Sequence, residues 1–508
     1  MAQANGTSRR RGRIFTKGGT MADLQGQLLI NLPGDDEYMM IHDAYYGTGL
    51  FVQGRGLIQH PRESVENFMN RKKLAYYWNY TGPIVNAMVD PIFKDEVRRE
   101  YRNSEMFDGF LEDCDRAGTS YQDFCKSAAL IAKLYGAAYI VVDNSDEMEG
   151  TLSAAVRNRH FPFLKVVSPM QIRDWKIDDY GRLTMFQYEE RIRSGAYIET
   201  SRTHTWTAEE WSITSGAGSK ETGVNPLGVV PVVQWLARNT DKRIIKPPSE
   251  YVSVVQTNYF LYQLCSWHAQ ILRDQAFNIL TIPDPGTDDI TIGTNNVLAY
   301  PPESTHTPTF IAPAAAPADM LTGQMDRCVK EMFRMSGLES ILGASTSDNK
   351  SGVSKEWDFE KTNKRIADFA VRCENADKAI IRLYEAWSGE NTGYKVEYPR
   401  DFKISDVSDG LANAQAAIDL GFDSIAYKQE VLKKVLAAYM PNLAPDVYDT
   451  ILKEMKTAAE RAAQDAAYGV DDDTKGGEGA GGVPKGDQGE PDQDGQADDA
   501  AGGGAQRL

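Results

Sequence analysis

Asp174, Asp178 and Asp179 fall within six residues of one another, a density at which carboxylates can hold a divalent metal. Their setting around Asp179-Tyr180-Gly181 is equally that of a solvated hairpin end. Asp284-Pro285-Gly286-Thr287-Asp288-Asp289 adds carboxylates but lacks the spacing and closing Glu of a calcium loop, so a turn is expected there. The six histidines (His42, His60, His160, His204, His268, His306) never stand at ligand spacing, and His268, inside a helical stretch, reads as a packing residue. Gly54-Arg55-Gly56 is followed by Leu, Ile and Gln, so the dinucleotide fingerprint fails. No P-loop, HExxH or GxSxG occurs. The expectation is a protein without catalytic residues, metal or cofactor. A metal-dependent nuclease using Asp143 or Asp174 is the enzyme alternative.

Composition narrows the classes further. The 508 residues allow about three domains. With 42% apolar and 25% charged residues, the chain cannot be wholly disordered. Fifty-five Lys and Arg against 72 Asp and Glu leave −17, which disfavours a protein gripping duplex DNA over a broad face. A protein that lets DNA slide past remains compatible with that charge. Cys114, Cys125, Cys265, Cys328 and Cys373 are odd in number and form no CxxC pair, so free thiols in a reducing compartment are expected. Arg9, Arg10, Arg11 and Arg13 precede Gly18 and Gly19, where a signal peptide would need an apolar run. Ala128–Val142, interrupted by Lys133, and Gly228–Ala237 are poor candidates to span a bilayer, so no membrane partner is expected. Met21 is an alternative start.

The elements that must position any site alternate in kind. Helices are expected over Pro61–Trp78, from Gly82 or Pro83 to about Lys94, and over Ser120–Leu134, where Gly136 gives the stop. Strands are expected at Ala137–Asp143, Phe163–Val167, Leu183–Glu189, Thr203–Thr207, Trp211–Ile213 and Val229–Trp235. That makes residues 25 to 245 an α+β region with a mainly antiparallel sheet. Tyr251–Phe277 then reads as a long helix with almost no charge and apolar residues on several sides. Short strands at Asn278–Ile282, Ile290–Ile292 and Val297–Tyr300 lie among many prolines, and a helix over Ala318–Met335 leads back. A polar loop, Leu338–Ser354, precedes a third long helix to Trp387, a strand at Tyr394–Tyr398 and a helical region over Ser408–Ala467. From Gly469 to Leu508, ten acids and three bases stand in a Gly-rich stretch, which reads as a disordered acidic tail.

Four parts, in order, carry a resemblance. The first comprises Asn70-Arg71-Lys72, Tyr76-Tyr77-Trp78-Asn79-Tyr80, Ile84 to Phe93 and Arg98-Arg99-Glu100-Tyr101. The second is Tyr135-Gly136-Ala137-Ala138-Tyr139-Ile140-Val141-Val142-Asp143, and the third is Asn225-Pro226-Leu227-Gly228-Val229-Val230-Pro231-Val232-Val233, just before a long helix. The fourth is the series helix, Pro-rich β insert, helix, polar loop, long helix. Over about residues 35 to 467 the chain resembles the portal proteins of tailed bacteriophages (Caudoviricetes). These form the ring at a capsid vertex through which DNA is packaged and ejected.

The resemblance implies an α+β, portal-like multidomain subunit with an α/β wing, long stem helices, a small β-containing clip and an α-helical crown. Its parts would be a basic arm (1–24), wing (25–246), stem helix (247–277), clip (278–317), second stem helix (318–337), tunnel loop (338–354), long helix with a return strand of the wing (355–403), crown (404–467) and acidic tail (468–508). It also implies a homo-oligomeric ring of twelve subunits in the virion, assembled in the host cytoplasm, with double-stranded DNA passing through. The major capsid protein, the terminase large subunit, a head–tail adaptor and a scaffold protein would be its partners. Ser345, Thr346, Ser347, Asn349, Lys350, Ser351 and Lys355 would line the DNA channel. Tyr259, Leu261, Leu264, Trp267 and Ile271 would meet the neighbouring subunit. Another virion structural or connector protein is the second reading.

Overall fold

The computed structural model describes residues 34–102, 104–144, 158–193, 199–216, 218–276, 279–283, 297–301, 303, 309–311, 316–339 and 352–402. It also describes scattered positions of 427–461. The chain divides into two compact units at Ser405/Asp406. In the second unit residues 450–458 are helical. The remainder of the expected crown, the arm, the tail, the strand at 290–292, the turn at 284–289 and most of the expected tunnel loop lie outside the described residues.

The first unit is α+β. Helix α1 (Asp35–Tyr46) carries acids in its first turn, where they complement the helix dipole, and ends on Gly47. Helix α2 spans Val65–Leu74 and not Pro61–Trp78. The Ser64 hydroxyl accepts the Asn67 N–H and so fixes the start, while residues 60–63 are held in a turn by Glu63 N–H donating to the His60 carbonyl. Helix α3 (Thr81–Val89) passes into a 3₁₀ turn at Asp90–Phe93. Strand β1 (Arg98–Glu100) and helix α4 (Glu105–Glu112) follow. Helix α5 (Tyr121–Tyr135) starts at the Ser120 cap and stops at Gly136, whose φ of +91° is open to glycine at little cost. A side chain at Gly136 would also press on the Pro247 and Pro248 carbonyls at 3.1 and 3.0 Å.

Strand β2 (Ala137–Asp143) is the hinge of the packing. It lies between β3 (Phe163–Val167) and β9 (Val232–Leu236), antiparallel to both. Ala138, Ile140 and Val142 enter the large helical core, while Ala137, Tyr139 and Val141 enter a second core. A strand buried on both faces must be apolar at every position, which explains its unbroken run. The second core is closed by Phe186, Tyr188 and Trp206 from a five-stranded antiparallel meander. Its strands are β4 (Ile172–Ile177), β5 (Leu183–Arg193), β6 (Glu199–Thr207), β7 (Glu210–Ser215) and β8 (Lys220–Val224). The mainly antiparallel sheet expected between residues 25 and 245 is present.

Three long helices follow: α6 (Val252–Ala276), α7 (Ala316–Ser336) and α8 (Gly352–Ser388). Between α6 and α7 the chain forms a small mixed sheet, with β10 (Ile279–Pro283) parallel to β11 (Val297–Tyr300) and antiparallel to β12 (Thr309–Ile311). After α8, β13 (Lys395–Glu397) pairs antiparallel with β1, tying the end of the unit to its beginning. All five cysteines are free and buried. No helix among the described residues is long and apolar enough to cross a membrane.

Candidate functional site

The geometry of interest is the joint of α6, α7 and α8. Helix α6 has almost no charge, yet three of its polar side chains are buried anchors. Asn258 Oδ1 accepts from the Tyr77 hydroxyl (2.9 Å), the Tyr80 and Thr81 N–H groups (3.2 Å each) and the Thr81 hydroxyl (3.0 Å). Its Nδ2 donates to the Trp78 carbonyl at 2.9 Å. Gln263 accepts the Ile58 N–H at 3.0 Å and donates to the Gly56 carbonyl at 2.9 Å. The Ser266 hydroxyl accepts from Arg71 Nη1 at 2.9 Å. Buried Arg71 also forks onto Glu63 through Nε and Nη2, both at 2.8 Å, and reaches the Ile58 carbonyl. Those Arg71 hydrogen bonds hold the Glu63 carboxyl below its ordinary range. The first half of α6 is thus bolted to segment 56–81.

The interface residues expected on α6 do not share one exposed face. Leu261 and Leu264 are 0% and 3% exposed and belong to the subunit's own core. Tyr259 is half-buried and donates to the Gly56 carbonyl at 2.5 Å. Trp267 is half-buried against the core and Ile271 is half-buried. The large apolar side chains left in solvent are Phe260 (43% exposed) and Leu272 (47%) on α6 and Met320 (71%) on α7. Phe260 follows Ser253 and Gln256 at helical spacing, so the polarity of that stripe concealed it in the sequence.

Helix α7 runs back along α6. Thr322 Oγ1 meets His268 Nε2 at 3.3 Å, so His268 serves the helix pair as packing geometry required. Met325, Cys328 and Met332 form the inner stripe of α7. The helix ends in a tight cap: Gly337 at φ +73° donates to the Arg334 carbonyl (3.1 Å) and Leu338 N–H to the Phe333 carbonyl (2.9 Å). Helix α8 closes on this cap. Thr362 Oγ1 donates to the Gly337 carbonyl at 2.7 Å and Arg365 Nη1 to the Ser336 carbonyl at 2.8 Å. The end of α7 is thereby fixed to α8 at Thr362 and Arg365, about three turns in from the start of that helix.

Ser345, Thr346, Ser347, Asn349, Lys350 and Ser351 lie outside the described residues. Lys355 stands in the first turns of α8, where only the backbone is described. Farther along α8, fully buried Asp377 accepts from the hydroxyls of Tyr394 (2.7 Å), Tyr121 (3.0 Å) and Tyr398 (3.0 Å) and from Arg99 Nη2 (3.3 Å). Burial, then the Asp377 charge, drives all three phenols well above their ordinary pKa, which keeps them donors. Trp387 near the end of α8 donates to the Val142 carbonyl at 2.8 Å, fastening the helix to β2.

Of the aspartates singled out for chemistry, Asp178 holds a turn and Asp174 lies in strand β4. Asp178 accepts from the Tyr180 and Arg182 N–H groups and from Arg182 Nε. Asp174 Oδ1 takes the N–H of Trp175. Among the described residues no group of three or more His, Cys, Asp or Glu is placed to hold a metal ion.

No protein-family model matches the chain, and no curated protein matches it. Among solved structures, the chain is similar to the "Neck of native GTA particle computed with C12 symmetry", at 12% identity and a TM-score of 0.41. That match covers 74% of this chain and 94% of that one. It is similar also to the "Neck of empty GTA particle computed with C6 symmetry", at 13% identity and a TM-score of 0.40, with the same coverage of each chain.

Proposed function

We propose that the chain is a structural subunit of a tailed-phage-like particle, and specifically a portal-type subunit. Copies would close into a ring at the capsid vertex, forming a channel for packaging and ejecting duplex DNA and a platform for the terminase and the head–tail adaptor. The observation that carries this reading is one arrangement. An antiparallel wing leads into α6, a small sheet intervenes, α7 returns antiparallel along α6, and α8 clasps the end of α7 across segment 340–351. This is the order of parts that the sequence resemblance implies.

Phe260, Leu272 and Met320 are compatible with a ring, since apolar side chains exposed on a helix pair can be covered by a neighbouring subunit. A heterologous contact that closes gives that partner to every subunit at once. Native mass spectrometry and negative-stain imaging of the purified protein test the reading. Twelve chains of 56.4 kDa would weigh about 680 kDa in a closed ring with a central channel. A monomer at high concentration, with no rings in images, would refute it.

A further inference from the structure

Where α5, the β9–α6 connection, the end of α7 and the middle of α8 converge, a cavity of about 400 Å³ opens. Four cations line it, Lys133, Arg238, Arg365 and Arg372, against two acids, Glu250 and Asp368. That is a local excess of positive charge on a chain carrying −17. The Lys133 side chain is more than nine-tenths buried, its ammonium 2.5 Å from Glu250 and 5.0 Å from the centre of the Phe369 ring. An ammonium has three donors, and among the described residues that carboxylate and that ring are its partners. Arg238 and Arg372 make no ion pair or hydrogen bond among the described residues, and Arg365 gives one guanidinium nitrogen to the Ser336 carbonyl. Tyr251, Met88 and Phe369 supply an apolar floor.

We propose that this cavity binds a carboxylate-bearing polypeptide segment, in which acidic residues alternate with apolar or aromatic ones. Guanidinium forks match carboxylates two bonds at a time, and the buried Lys133 ammonium, paired with Glu250, keeps further N–H donors behind them. Glu250 and Asp368 lower the charge of the wall, which suits single carboxylates better than a polyphosphate. The apolar floor suits the side chains that flank an acid in a peptide. This inference stands independently of the ring reading.

The test uses the full-length protein and a fluorescein-labelled peptide of about ten residues alternating Asp or Glu with Phe, followed by fluorescence anisotropy. Saturable binding is expected, weakened at least tenfold in Arg238→Glu/Arg372→Glu and at least severalfold in Lys133→Met. Both arginines of the first variant reach solvent and hold no structural contact, so its melting temperature should match the parent's, which separates lost binding from lost folding. Unlabelled peptide should displace the probe, while inorganic phosphate and a duplex of about 20 base pairs at equal concentration should not. Absence of saturable binding, binding unchanged in the double variant, or displacement by phosphate or duplex would each overturn the proposal.

Discussion

Asn258 accepts both the backbone N–H and the hydroxyl of Thr81, 177 positions earlier, through one amide oxygen. The same oxygen takes the Tyr80 N–H and the Tyr77 hydroxyl, so a single side chain caps the start of α3 and orients α6. Truncation would strand the buried N–H and hydroxyl of Thr81, each costing about 1–3 kcal/mol, while Tyr77 and Tyr80 keep the Ala44 and Trp78 carbonyls. Asn258→Ala should therefore lower unfolding stability by about 3 kcal/mol or more, read as a reduced midpoint in urea. A loss under about 1 kcal/mol would show that water replaces the amide.

Asp377 is the corresponding hub on α8. Removing its carboxylate leaves Arg99 buried without its countercharge and three phenols without their acceptor. Asp377→Ala should cost about 3–5 kcal/mol. Tyr394→Phe, which deletes one of the four contacts, should cost about 1 kcal/mol by the same denaturation assay.

Exposed and buried apolar residues on α6 should separate assembly from folding. Phe260→Asp and Leu272→Glu are expected to leave the melting temperature of the subunit within a few degrees of the parent's and to abolish ring formation on native gels. Leu264→Asp should instead unfold the subunit, because it buries an unpaired charge. Rings that persist in both surface variants would place the subunit contact elsewhere.

Acid should act partly through Glu190. Its hydrogen bond with His204, opposed by burial and helped by Lys165, brings the carboxyl down to about 2 from an ordinary 4.5. A depressed folded-state pKa gives stability that is complete above the ordinary range and lost as pH falls toward about 2. Glu190→Gln should flatten the stability profile between about pH 5 and pH 2 relative to the parent. Identical profiles would exclude the pair as an acid-sensitive contact.

The sequence was legible where burial imposes a period. Ala137–Asp143 and Phe163–Val167 are bounded as expected, since a doubly buried strand leaves an unbroken apolar run and Gly136 marks its start. The three long helices were also visible to within three residues at each end. Strand β4 was not, because register shifts between Ile172 and Asp174 and between Lys176 and Ile177 disrupt its alternation. Helix α4 carries Gly109 in its interior, which reads as a breaker, and β8 is a polar edge strand with nothing apolar until Val224. At the candidate site, Arg71, Asn258 and Ser266 gave no local signal: their partners lie up to 195 positions away, and long-range polar pairing has no period.

From Thr362, which grips the end of α7, to Trp387, which grips β2, helix α8 contains neither glycine nor proline. Twenty-five rises of 1.5 Å make this a span of about 37 Å. Kinks in helices arise at proline, glycine or inserted bulges, so the span has no built-in joint. A connection of that stiffness would carry a displacement of the Gly337 cap to the carbonyl of Val142, past the Asp377 cluster on the same helix.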